Sequence, residues 1–278
     1  MCLAAMAIGQ CTRFPWVLAS NRDEFHDRPT LAMDWWLPEG ESTPVLGGRD
    51  LAAGGSWLAL RADGRLALVT NVREPGCFDP AAASRGGLVL QGLRAGPADR
   101  VWLGEVSEAP RNGFNLVLAD LGTVDTVWAT NRPAQQRVLG AGIYGVSNAS
   151  LDTPWPKVTR LKRALAALIA EDSSAEQLAV GCFTTLADRS PAPDEALPRT
   201  GIPIQRERQL SSAFIHVPGT DTPPVGAYGT RCSTVVVVED VAAQRRVYVF
   251  ERRYDAAGTC AGQTTHQFVL GVRAQPIL

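Results

Sequence analysis

Cys2 directly follows Met1, and its side chain is small enough for an aminopeptidase to remove the initiator. Once freed, such a residue carries two reactive groups. The α-amine titrates at about 7.7–8 and the thiol at about 8.5, so near neutrality the amine can take the thiol proton. One residue then supplies both nucleophile and base, the logic of N-terminal threonine. The alternative is a buried, apolar Cys2 that merely opens a strand. A second cluster, Asn21-Arg22-Asp23-Glu24, ends an apolar run that can pair with the run behind Cys2. An Asp or Arg there can hold an α-amine and a thiolate through charge-assisted hydrogen bonds. The competing view is a solvated turn, where Asn and Asp are common.

Other chemistry finds less support. Gly145-Val146-Ser147-Asn148-Ala149 approaches a nucleophile elbow, with Asp221 and His266 downstream in hydrolase order. However, the strong helix begins only at Pro156, and alternating βαβ units are absent. His26, His216 and His266 are isolated, so no metal spacing is present, and the acidic residues lack the spacing of a calcium loop. Gly47-Gly48 and Gly54-Gly55 form neither a dinucleotide fingerprint nor a phosphate loop, and are assigned to tight turns. Trp35-Trp36, Trp57 and Trp155 read as core or pocket wall.

Strands must carry Cys2 and the Asn21 cluster. Leu3 to Ile8 and Trp16 to Ser20 make a predicted hairpin, followed by a long loop from Asn21 to Gly55. Trp57 to Arg61 and Leu66 to Thr70 form a second hairpin around Asp63-Gly64. A short helix is predicted over Ser84 to Leu93, then strands over Phe114 to Ala119, Val124 to Thr130 and Arg137 to Val146. After Pro156, the residues Val158, Leu161, Leu165, Leu168 and Ile169 share one helical face. Another helix is expected from Ala175 to Leu186. Residues 187–210 read as an exposed excursion, and strands return at Ser233 to Glu239, Arg246 to Arg252 and His266 to Val272. Strands at both ends with helices between them imply one α+β domain over residues 1–278.

Composition sets the outer limits. The 278 residues are 45% hydrophobic and 20% charged, the profile of a globular chain with a real core. Twenty-seven basic residues against 28 acidic ones leave no footprint for nucleic acid or an anionic membrane. No run is long enough to span a membrane. The first residues lack the basic start of a signal peptide, and the six cysteines are scattered without a C-x-x-C pair. They read as reduced thiols of a cytoplasmic protein. The oligomeric state is unmarked.

Asn21 to Glu24 is also the signature of the NRDE, or Transport and Golgi organisation, family, and the chain resembles that family along nearly its whole length. The resemblance takes in Arg28-Pro29-Thr30, Gly48-Arg49-Asp50-Leu51, Gly54-Gly55-Ser56-Trp57-Leu58 and Thr70-Asn71-Val72-Arg73. It continues through Ser147-Asn148, Pro154-Trp155-Pro156-Lys157-Val158, Leu197-Pro198-Arg199-Thr200-Gly201 and Tyr228-Gly229-Thr230-Arg231. Ser56 stands where Thr is usual, and Val72 where an aromatic often sits. The family in turn resembles N-terminal-nucleophile hydrolases of the choloylglycine hydrolase and acyltransferase branch. That resemblance implies a four-layer αββα sandwich with the nucleophile opening a central strand.

By the same resemblance Cys2 matches the nucleophile and Asp23 the carboxylate that holds its amine, with Arg22 beside it. Asn71 and Asn148 match two oxyanion-hole positions, and Arg231 matches a late arginine. A cap for the following helix is the other reading of Asn148, and a structural ion pair that of Arg231. Asn21 and Trp57 are candidate binding residues. The implied activity is hydrolysis or acyl transfer on a linear amide or related small-molecule acyl substrate, with no cofactor. The alternative is a carrier that holds haem or an acyl lipid in the same pocket without turnover; the sequence has no C-x-x-C-H haem attachment motif.

Overall fold

A computed structural model describes residues 2–221, 224–242 and 244–271. The first strands are β1 (Cys2–Ile8), β2 (Trp16–Phe25), β3 (Thr30–Trp36), β4 (Val45–Asp50), β5 (Leu58–Leu60) and β6 (Arg65–Asn71). Helices α1 (Gly86–Ala95) and α2 (Arg100–Glu108) lead into β7 (Phe114–Asp120), β8 (Asp125–Asn131), β9 (Ala134–Leu139) and β10 (Gly142–Val146). Next come α3 (Pro156–Ile169), α4 (Ala175–Leu186) and α5 (Ile204–Gln209), then the short β11 (His216–Val217), β12 (Thr220–Asp221) and β13 (Pro224–Val225). The chain finishes with β14 (Tyr228–Val241), β15 (Gln244–Tyr254) and β16 (Cys260–Val269).

Apart from the small β12–β13 pair, these strands form two antiparallel sheets. One has the order β10-β1-β2-β14-β15-β16, with β11 against β14, and the other runs β3 to β9 in sequence order. Because side chains alternate along a strand, each central strand buries one set of residues on either face. Ala4, Met6, Trp16, Leu18, Val236 and Val238 of the first sheet meet Leu46, Leu58, Leu68 and Trp128 of the second. Leu3, Ala5, Val17, Val235 and Val237 pack instead on Val158, Leu161 and Leu165 of α3 and Leu178 and Phe183 of α4. On the far side, Ala67, Val69 and Leu116 pack on Leu88, Leu93 and Leu103 of α1 and α2. The layers are therefore helix, sheet, sheet, helix, which is the αββα sandwich. Burial on both faces explains why β1 and Val235 to Val238 read as continuous apolar runs.

Local signals account for the helices that the sequence reveals. Pro156 fills the first turn of α3, and α4 opens on a capping box between Ser174 and Gln177. Elsewhere the predicted elements need correction. The Asn21 to Gly55 loop contains the polar end of β2 together with β3 and β4. Gly47 and Gly48 belong to β4, not to a turn. The single strand over Arg137 to Val146 is two strands, β9 in the second sheet and β10 in the first, so the chain changes sheet between them. The 187–210 excursion carries α5 and buries Ala192, Leu197 and Glu207. Helix α2, capped by Asp99 accepting from the Trp102 amide, is not among the predicted elements. The predicted end of the last strand at Val272 lies outside the described residues.

Leu18 is fully buried between the sheets. Leu18→Ala is expected to lower unfolding free energy by about 2–5 kcal/mol in urea titration, and a loss near zero would contradict this packing.

Candidate active site

Cys2 begins β1 on the face that looks toward the second sheet, in register with Arg22 on β2. The Arg22 guanidinium lies over the Trp57 ring at 4.3 Å from its centroid and 3.8 Å from an Asp50 carboxylate oxygen. Both side chains line a cleft of about 290 Å³, together with Cys2, Asp23, Arg28, Asn71 and Arg85. Arg28 pairs with Asp50 at 2.9 Å, and Arg85 donates to the Gly113 carbonyl at 3.1 Å. A larger open depression of about 490 Å³ around Arg111 and Arg132 shares Asp79, Ala82 and Asn112 with this cleft. The thiol and its carboxylate neighbour sit in the smaller one.

Trp57 owes its place to Gly48. A Cβ at that position would overlap Cη2 and Cζ2 of the Trp57 ring, so only glycine lets the indole lie flat there and carry Arg22. The register of β14 against β2 shifts between Thr230 and Cys232. Thr230 thereby faces Asp23, while Cys232 faces Arg22. Such a bulge re-aims the intervening side chain, and Arg231 points at the β2–β3 turn, donating to the Phe25 and Arg28 carbonyls at 2.7 and 3.0 Å. Arg231 is not on the cleft wall; it fixes the turn that follows Asp23.

Asp23 is almost completely buried and accepts from Thr230 Oγ1 at 2.8 Å. Burial pushes its carboxyl up, while Lys157 and the Thr230 hydrogen bond pull it down. The Cys2 thiol, 7% exposed, is also raised by burial. Nearby Asp23 adds to that rise, whereas Arg22 and a hydrogen bond from the Asp23 backbone N–H oppose it. A thiol so placed stays protonated at neutral pH unless a base takes its proton.

Asn71 lines the cleft at the end of β6. Asn148 stands behind it, with Nδ2 on the Asn71 carbonyl at 2.9 Å, and its own carbonyl accepts from the Arg73 amide at 2.7 Å. Ser147, proposed by motif as an elbow nucleophile, donates instead to the Cys2 carbonyl at 2.8 Å, and His266 lies against the Met33 carbonyl at 3.3 Å. Thr70 Oγ1 donates to the Ser147 carbonyl at 2.7 Å. Ser147 and Asn148 thus tie the start of β1 to the end of β6 across the two sheets. Asn21 faces the helices, donating to the Leu186 and Ala213 carbonyls at 2.9 Å and accepting from Ser233 at 2.6 Å. Both of its amide protons are committed there, and its side chain is not on the cleft wall.

Lys157 is the residue that sequence reasoning passed over. It sits in the first turn of α3, only 2% exposed, with Nζ donating to the Leu210 carbonyl at 3.0 Å. Burial lowers its amine to about 8, partly offset by Asp23. The available signal was a charged residue immediately before the apolar face of a buried helix.

An αββα sandwich with a thiol opening a central strand, beside a buried carboxylate, is the arrangement expected from the resemblance to N-terminal-nucleophile hydrolases. The chain belongs to the Transport and Golgi organisation 2 family, whose model matches residues 1–256. It is 33% identical over 267 residues to the Transport and Golgi organization protein 2 homolog of Bos taurus, covering 91% of this chain and 92% of that one. Identity to the Homo sapiens homolog is 31% over 237 residues, covering 80% and 82%. Among solved structures it is similar to the Caenorhabditis elegans ortholog of N-acylethanolamine-hydrolyzing acid amidase, with TM-score 0.44, 10% identity, and 84% and 92% of the chains covered. It is similar also to a conjugated bile acid hydrolase from Clostridium perfringens, with TM-score 0.39, 10% identity and full coverage of both chains. No helix among the described residues is long and apolar enough to cross a membrane.

Gly48→Ala is expected to push Trp57 from beneath Arg22. The Trp57 indole N–H resonance should move while those of the other six tryptophans stay, with a stability loss of about 1–3 kcal/mol. An unmoved Trp57 resonance would contradict the packing described.

Proposed function

We propose that the protein is a cysteine hydrolase or acyltransferase of the N-terminal-nucleophile type, acting on a linear amide or related acyl substrate. The observation that carries this reading is the convergence of Cys2, Asp23 and Asn71 at one cleft. Removal of Met1 leaves Cys2 with a free α-amine, held by the Asp23 carboxylate. The amine takes the thiol proton, which matters because burial holds the thiol above its ordinary range. Sulfur then bonds to the acyl carbon, and charge collects on the carbonyl oxygen.

The Asn71 side-chain amide is the donor available on the cleft wall for that oxyanion; such a donor is worth about 10²–10³ in rate. Asn148 keeps Asn71 in place through its carbonyl, and Arg22 on Trp57 supplies a fixed positive charge opposite the sulfur. The C–N bond breaks as the α-ammonium returns its proton to the leaving amine. Water, or another acceptor, next attacks the thioester carbon and releases the acyl group, while the sulfur regains its proton. The site requires no metal or organic cofactor for these steps, and its partner is a small amide or acyl molecule.

A haem-carrying role is less well supported by this cleft. None of His26, His216 and His266 lines it, and Cys2 is the lone sulfur ligand on its wall. The amide reading gives roles to Cys2, Arg22, Asp23 and Asn71, all of which line the cleft.

Intact mass should show a purified chain lighter by one methionine. That chain should release p-nitroaniline from medium-chain N-acyl p-nitroanilides, and both Cys2→Ala and iodoacetamide should abolish the release. Turnover by Cys2→Ala would end this reading.

A further inference from the structure

The cleft wall carries three guanidinium groups, from Arg22, Arg28 and Arg85. Two of them are settled within the protein. Arg28 pairs with Asp50 at 2.9 Å, and Arg22 shares that carboxylate at 3.8 Å while lying over Trp57. Among the described residues Arg85 has no carboxylate at ion-pair distance and no ring beneath it. Its side chain makes a single hydrogen bond, from Nη1 to the Gly113 carbonyl at 3.1 Å. A guanidinium has five donor hydrogens, so a neutral carbonyl leaves the charge and most of the donors uncommitted. The other carboxylates of the wall are engaged elsewhere. Asp23 accepts from Thr230 Oγ1, and Glu24 and Asp79 accept from the Phe25 and Ala81 amides.

The backbone of Arg85 is firmly placed. It immediately precedes α1, whose first turn has no acidic side chain to take the charge. The Gly86 carbonyl accepts from the Ser56 amide at 3.3 Å, and a Cβ at Gly55 would come within 2.5 Å of the Gly86 carbonyl carbon. Glycine at position 55 therefore lets the start of α1 press against the segment that carries Trp57. Together with the Gly113 bond, this holds the guanidinium at the cleft. Arg85 is half-buried, and burial works against its charge; Cys2 and Glu24 favour that charge, and Arg28 opposes it. A partly buried cation without a paired anion is costly. A carboxylate entering the cleft would offset that cost through bidentate, charge-assisted hydrogen bonds.

We propose that Arg85 is a specificity-determining residue of the cleft, and that the amide acted on there carries a carboxylate, which the uncommitted Arg85 donors bind. The inference rests on the N-terminal-nucleophile reading and adds a substrate class to it. Ala53, Phe78, Pro80 and Ala82 give the same wall apolar surface. The molecule that fits is therefore an anionic amphiphile, with an acyl chain, an amide and one carboxylate. That carboxylate can stand on the amine side of the amide, as in an N-acyl amino acid, or at the far end of the acyl group. A purely structural Arg85, tethering the Gly113 carbonyl, would need one N–H and no charge, and glutamine would serve as well.

The test is calorimetric binding to the full chain carrying Cys2→Ala, which reads affinity without turnover. N-hexanoylglycine has its carboxylate on the amine side and N-butylglutaramic acid on the acyl side, and each is compared with its uncharged carboxamide. At least one carboxylate should bind about ten- to a hundredfold tighter than its carboxamide. Adding Arg85→Gln, which can still donate to the Gly113 carbonyl, should bring that ratio close to one. Arg85→Lys should recover part of it. The pair that responds identifies the side of the amide on which the anion sits. Ratios near one for both pairs would overturn the inference, and that comparison needs no Arg85 variant to fold. A preference that survives Arg85→Gln would also overturn it, because the anion would then sit on another cation. A wild-type chain that shows the preference but hydrolyses neither amide would end the hydrolase reading and leave the role of Arg85 standing.

Discussion

The pairing of β1 with β2 is the constraint on which the site depends. It places Cys2 opposite Arg22 in the middle of a sheet covered on both faces. A slip of one residue would turn each side chain to the opposite face, taking the Cys2 thiol from the cleft to the helices. The register is fixed over the whole of β1 by Ala4, Met6 and Ile8 on one face and Leu3, Ala5 and Ala7 on the other. Core packing thus positions the polar strand ends, and it also buries them.

Burial has consequences for every ionisable group nearby. Cys2, Asp23 and Lys157 are each shifted toward their neutral forms, for the same reason of lost hydration. Where a buried charge has a direct partner, as Arg73 has in Glu207, the pair offsets that loss. A second device is mechanical. Ser147 and Asn148 bond the carbonyls of Cys2 and Asn71, so the candidate nucleophile and the candidate oxyanion donor move together although they belong to different sheets.

Much of this was legible in the sequence, and the omissions have physical causes. Helix α3 announces itself through apolar spacing and Pro156, and the span expected for α4, Ala175 to Leu186, is the one it takes. Strands β3 and β4 were hidden because β3 has only Met33 fully buried and β4 contains Gly47 and Gly48, which look like turn residues until Trp57 is seen lying against one of them. Cys2, Arg22, Asp23, Trp57 and Asn71 converge on the cleft, as their motifs suggested. Asn21, Asn148 and Arg231 are drawn instead to backbone carbonyls, an outcome that depends on strand alternation and on a bulge. Neither can be read from a motif string. Lys157 was passed over for a related reason: a lysine in sequence looks solvated, and only the folded packing buries it.

The central claim is that the sulfur of Cys2 forms a bond to the acyl group. Acid-quenched, peptide-resolved mass spectrometry of protein mixed with a medium-chain N-acyl p-nitroanilide tests it most directly. The account predicts an added acyl mass on the peptide that begins at Cys2, present during turnover and gone when substrate is exhausted. Product accumulating with that peptide unmodified at every time point would contradict it.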